Sequence, residues 1–132
     1  MCLTKVEKVL KPIDWTERQG WKVFRRDPDS PSGYAFEFRR FHGKSDVPTN
    51  RWLKAHVQGI WKGYRSGFHV FATRAGAREW YEGEGEFAVV KVRARGVQTI
   101  GLQSGHKCLV AREMFVPRPK TRKSPKREAA NA

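Results

Sequence analysis

Three groups of residues carry side chains able to do chemistry, and each asks for a different kind. Cys2, in the opening Met-Cys-Leu-Thr, becomes the N-terminal residue if the initiator Met is removed. Its thiol then shares one carbon with a free α-amine whose pKa is about 8. That neighbour favours the nucleophilic thiolate, and the pair can condense with an aldehyde to a thiazolidine. The stretch YRSGFHVF sets Tyr64 and Arg65 just upstream of Gly67 and His69. Here Gly67 can turn the backbone into the following strand, Arg65 can hold a phosphate and His69 can donate a proton. The third group is basic. Lys91, Arg93 and Arg95 recur at every second position of VVKVRARG, the spacing that puts side chains on one face of a strand.

Each group also has a plainer reading. Cys2 and Leu3 can anchor a first strand, since a buried free Cys behaves as a small hydrophobe. On the strand FHVF, Phe68 and Val70 face one way and His69 and Phe71 the other, so His69 can be a half-buried, satisfied ring. The plain reading is preferred for both, and no residue is assigned as catalytic. The basic group is broader and harder to set aside. Lys and Arg number 27 against 13 Asp and Glu, a net charge of +14 with a pI near 10.4. Arg25, Arg26, Arg39 and Arg40 end two strands, and Arg51, Lys54, Lys62, Arg65 and Arg74 follow, interleaved with Trp52, Trp61 and Tyr64. Like charges on one exposed face repel, and an anionic partner relieves them. Phosphate tracking with base stacking on the aromatics is the chemistry this composition suits.

The elements that must position these residues read mainly as strands. A chain of 132 residues implies one domain. GWKVFRR and YAFEFRRF alternate on either side of DPDSPSG, a run of turn formers, and predict an antiparallel hairpin. Residues 42–66 read as a long loop with one helical turn near 51–58, and loops of that length are usually functional. FHVFA is a buried-type strand. Thr73 N-caps a helix over about 73–82, with Ala77, Trp80 and Tyr81 on one face. FAVVKVRARG, the weaker VQTIGL and KCLVAREMFV complete a β-β-loop-β-α-β-β-β order, an α+β domain over 1–116 with a mainly antiparallel sheet. Residues 117–132 hold six Lys or Arg, one Glu and no aromatic residue, and are expected to be a disordered basic tail. Without them the domain keeps 21 basic and 12 acidic residues.

MCLT, WKVF and GFHVFATRAGAREW followed by VVKVRARG together resemble a group of small, uncharacterised phage-encoded proteins. Those open Met-Cys-Leu, carry a Trp-Lys-Val-Tyr-like strand and later show Gly-Ile-His-Val-Phe-Leu-Thr-Arg before a short helix. Phe24, Phe68 and Ala72 stand where that group has Tyr, Ile and Leu. The resemblance covers the first half-dozen residues, 21–24 and 67–116, and implies a phage origin without a mechanism. The same GFHVFATRAGAREWY stretch loosely resembles the nicotinamide-holding strand and helix of ADP-ribosyl transferases, which implies Arg65, His69 and Glu113 as site residues. SRAP-domain proteins, which cap abasic DNA through an N-terminal Cys, also begin Met-Cys, but Leu3 and Thr4 replace the glycine and arginine expected next. Class II amidotransferases begin Met-Cys-Gly on a far longer chain.

Two cysteines make no disulfide framework, and the chain shows no apolar run long enough for a membrane span and no secretory leader, so a cytoplasmic setting is expected, that of the host cell for a phage protein. No metal, cofactor, membrane or small-molecule substrate is expected. The leading expectation is a non-catalytic binding protein whose basic face and tail engage an anionic macromolecule: nucleic acid, an acidic protein, or a ribonucleoprotein such as a host defence complex. A protein–protein inhibitor of a host enzyme, working through 42–66, is the alternative. An ADP-ribosyl transferase-like enzyme or a Cys2-dependent abasic-DNA crosslinker is the third.

Overall fold

A computed structural model describes residues 3–36, 46–55, 60–61, 63–81 and 86–119. The strands are β1 (Lys5–Asp14), β2 (Arg18–Arg26), β3 (Tyr34–Ala35), β4 (Trp52–Lys54), β5 (Ile60–Trp61), β6 (Tyr64–Arg65), β7 (Phe68–Phe71), β8 (Phe87–Gln103) and β9 (His106–Phe115), with one helix, α1 (Arg74–Tyr81), between β7 and β8. Seven strands share one antiparallel sheet and β5 and β6 form a separate pair. The mainly antiparallel sheet with one short helix is the architecture expected.

The long β8 organises the rest. Val90, Val92 and Ala94 turn into the main core, where Phe24, Phe68, Val70 and Met114 meet them. Its residues 87–94 pair with β2, 97–102 with β1, and 93–103 with β9 on the opposite edge. β1 and β2 therefore lie end to end along one edge of β8. Because β2 also pairs with β7, and β7 with β9, the four strands β8, β2, β7 and β9 close into a ring. Closure on the β2 side rests on the single pair Trp21–Phe71. Gly20 makes it possible: a Cβ there would run into Val70 Cγ1 and lie 2.9 Å from the Phe71 carbonyl oxygen. With both sides of the ring covered, β2 buries Val23 and Phe24 on opposite faces.

Two sequence expectations are corrected. FAVVKVRARG and VQTIGL are one strand, bent where Gly96 takes φ +71 and where the register with β9 slips between Val97 and Thr99. Glycine tolerates that conformation and a bulge adds twist, so the chain turns a corner without ending the strand. Residues 42–66 are not one loop. They hold β4, paired with β9 through Leu53–Met114, and β5–β6; β4 falls within the 51–58 span read as a helical turn, of which 56–58 lie outside the described residues. The expected hairpin partner, β3, pairs antiparallel with β2 at Arg25–Ala35 and Arg26–Tyr34, residues 37–41 lie outside the described residues, and β8 pairs with β2 over a longer run. The first strand, β1, runs for ten residues with mostly exposed side chains, so no apolar alternation marks its length in the sequence.

The helix follows its sequence signals. Thr73 Oγ1 accepts the Gly76 N–H at 3.0 Å, the N-cap bond. Ala77 and Trp80 then pack on Val23, Phe71 and Val89. The β8–β9 hairpin turns at Ser104 and Gly105, both with positive φ (50 and 85), the pattern of a two-residue turn whose twist matches its strands. At the far end, the Arg118 N–H donates to Asn50 Oδ1 at 2.9 Å and the Asn50 N–H to the Val116 carbonyl at 2.8 Å, so the chain stays fastened through Arg118. Residues 120–132 of the expected tail lie outside the described residues.

Candidate nucleic-acid interface

Strand alternation sets the basic row. Val92 and Ala94 are buried in the main core, so Lys91, Arg93 and Arg95 face the other way; Lys91 is exposed and the two arginines are half-buried. Cross-strand register then decides their neighbours. Lys91 lies opposite Trp21 of β2, Arg93 opposite Phe115 of β9, and Arg95 opposite Glu113. β4 extends the last two rows, with Trp52 opposite Phe115 and Lys54 opposite Glu113. The start of α1 adds Arg74 beside Trp21.

Aromatic rings and cations interleave across this surface. The Arg74 guanidinium and the Lys91 ammonium lie 5.9 and 6.0 Å from the Trp21 ring centre. Arg93 sits 4.3 Å over Phe115 and 5.6 Å from Trp52, and Arg95 sits 3.9 Å over Trp52. Trp52 and Phe115 meet edge to face at 5.7 Å. Each ring attracts its cation through the negative face of its π system. Two carboxylates enter as well: Glu113 Oε1 accepts from Arg95 Nε at 2.7 Å, and Glu17 Oε2 accepts from Arg93 Nη1 at 3.3 Å. The repulsion expected along the row is thus already relieved at two of three positions. Arg74, Lys91, Arg93, Arg95 and Lys54 still outnumber Glu17 and Glu113, a local excess of three positive charges.

The remaining predicted residues are scattered. Arg25 is exposed near the end of β2, opposite Phe87 and four residues from Trp21, while Arg51 precedes β4 and Arg65 lies on β6, both exposed. Arg39, Arg40, Lys62 and the Trp61 side chain lie outside the described residues, as does Cys2. Tyr64 is a correction: only 3% of it is exposed, so it offers no face to a base. It belongs to a cluster with Leu3, Cys108 and Val110, because the ring fills the space above the first strand. Sequence reasoning missed Trp21, Phe115 and Glu17 as members of the surface. The alternation of WKVF gives the face of Trp21, but only the β2–β8 register brings it to Lys91.

The enzyme constellation of Arg65, His69 and Glu113 is not assembled. His69 is buried, and its ring is held at both nitrogens. The Gly67 carbonyl, 3.2 Å from Nδ1, can only accept, so Nδ1 carries a proton. Nε2 and the Tyr64 hydroxyl are hydrogen-bonded at 3.1 Å, and the Tyr64 oxygen accepts the Leu3 N–H at 2.8 Å. This relay fastens the start of the chain to β6 and β7. Glu113 lies three residues beyond Val110, the partner of His69 on β9, and is committed to Arg95. Gly67 serves packing rather than a turn: a Cβ would lie 2.7 Å from the Ala111 carbonyl oxygen and 2.9 Å from Gln98 Nε2. Burial pushes the Cys108 thiol up to about 12, which makes it inert. Among the described residues no group of His, Cys, Asp or Glu could hold a metal ion, and no helix is long and apolar enough to cross a membrane.

Comparisons of the chain with family models, with curated proteins and with solved structures find no match.

Proposed function

We propose that the chain is a non-catalytic binding protein whose cation–aromatic face engages nucleic acid. The observation that carries the reading is the interleaving of Lys91, Arg93 and Arg95 with Trp21, Phe115 and Trp52 on one side of β8 and its neighbours. Phosphates would meet Lys91, Lys54 and Arg74, the exposed cations of the surface, and release condensed counterions. Glu113 holds Arg95 through Nε, so a phosphate would meet its terminal nitrogens. The reading includes no catalytic step, in keeping with His69 and Glu113 both being committed to structural bonds. The resemblance of MCLT, WKVF and GFHVF to phage-encoded proteins adds a setting to the proposal, the host cytoplasm, where free nucleic acid or a ribonucleoprotein defence complex would be met.

The test compares the full chain with its K54Q/K91Q/R93Q variant on labelled nucleic acid at low and at moderate salt. Binding that weakens with salt, and falls at least tenfold in the variant at unchanged fold, is expected. No binding at low salt refutes the reading, and equal binding by the variant moves the contact to another surface.

A further inference from the structure

We infer that the ligand of this face is single-stranded rather than duplex nucleic acid; the inference rests on the function just proposed. Side chains on one face of a strand recur every ~6.7 Å. Lys91, Arg93 and Arg95 keep that interval without interruption up to the bend at Gly96. The interval is close to the separation of successive phosphates along an extended single strand, so three neighbouring phosphates can each meet a cation. The rings are placed beside the cations, with Trp21 level with Lys91 and with Phe115 and Trp52 level with Arg93. A base offers a π face to such rings only when it is out of a duplex stack, and base–aromatic stacking contributes about 1–3 kcal/mol per base.

The cations over the rings suit the same ligand. A guanidinium lying 3.9 Å over Trp52 is itself a planar surface on which an unstacked base can lie. A duplex would be read instead by an element that enters a groove, commonly a helix in the major groove. The described helix, α1, is eight residues long and buries Ala77 and Trp80 against the sheet. Its basic residue next to the patch, Arg74, is drawn to Trp21 rather than projecting from a free helix face. A sheet surface presenting in-line cations flanked by rings therefore favours an extended strand with its phosphates along Lys91–Arg95 and its bases over Trp21 and Trp52.

The experiment uses the full chain and three fluorescently labelled ligands of one sequence, about 12 nucleotides long: the single strand as DNA, as RNA, and the perfect DNA duplex. Anisotropy at about 50 mM monovalent salt is expected to give at least tenfold tighter binding to either single strand than to the duplex. Three phosphate contacts predict a slope of log affinity on log salt of about −2 for the single strand. K91Q and, independently, W52F are expected to weaken single-strand binding at least fivefold, and two variants keep the test valid if one disturbs folding. Equal or tighter duplex binding overturns the single-strand inference and leaves the nucleic-acid reading standing. Failure of all three ligands to bind overturns both. A single-strand preference untouched by K91Q and by W52F also overturns it, since the contact would lie elsewhere.

Discussion

Glu17→Gln should tighten nucleic-acid binding. Glu17 is about half exposed, and its Oε2 lies 3.3 Å from Arg93 Nη1, at the edge of the cation–aromatic face. The substitution keeps the shape of the side chain and removes one negative charge. Two charges about 7 Å apart in water interact by roughly 0.6 kcal/mol. A phosphate seated on Arg93 is repelled by Glu17 over about that distance, so losing the carboxylate gains about threefold in affinity per phosphate. The screening length is about 10 Å at 0.1 M salt, so one or two phosphates feel the change. The total gain is threefold to tenfold at low salt and vanishes as salt rises. The cost to the fold is small, because an exposed ion pair contributes at most about 1 kcal/mol. Anisotropy with a labelled single strand gives the affinity and a thermal melt the stability. An affinity that stays level or falls, with melting changed by only a few degrees, would refute the reasoning that this face meets phosphates.

Other consequences concern the scaffold. Gly20→Ala drives a methyl group into Val70 and the Phe71 carbonyl where β2 and β7 meet; it should cost about 1–3 kcal/mol, seen as a lower melting temperature, and a wild-type melt would show that the ring closes elsewhere. Tyr64→Phe removes the hydroxyl that accepts the Leu3 N–H and reaches His69; a loss of roughly 1–3 kcal/mol is expected, together with faster amide exchange at Leu3, and unchanged exchange there counts against the relay. Cys108 is protonated more firmly in the folded chain, with its pKa raised from 9.0 to about 12 by burial. Its contribution is complete below pH 9.0 and is lost as pH rises toward about 12, by up to about 1.4 kcal/mol per pH unit. Denaturant melts of wild type and Cys108→Ala across that range should converge as pH rises, and peptide mapping after alkylation near pH 8 should find Cys108 unmodified until the chain is unfolded.

The sequence made visible those features that depend on neighbours along the chain. Thr73 capping α1, the inward turn of Ala77 and Trp80, and the shared face of Lys91, Arg93 and Arg95 follow from helical and strand periodicity alone. What depends on strands distant in sequence was not readable. Nothing local tells that Phe115 and Trp52 come to lie under Arg93, or that Glu113, an acid of apparent catalytic type, is the ion partner of Arg95. Tyr64 could be assigned to a surface from composition because its burial depends on Leu3, 61 residues away. FAVVKVRARG and VQTIGL read as separate strands along the chain, whereas Gly96, at φ +71, lets one strand bend between them. One local signal was available and unused: Ser104-Gly105 between two apolar runs marks the tight β8–β9 hairpin.

The most direct test of the account is to follow the indole N–H resonances of the tryptophans by NMR while a single-stranded oligonucleotide is added to the full chain. Trp21 and Trp52 carry the cations of the face, and Trp80, on α1, packs against Phe71. The account predicts saturable shifts at Trp21 and Trp52 with Trp80 unmoved. Shifts confined to backbone resonances of residues 120–132, with Trp21 and Trp52 unchanged at saturation, would contradict it.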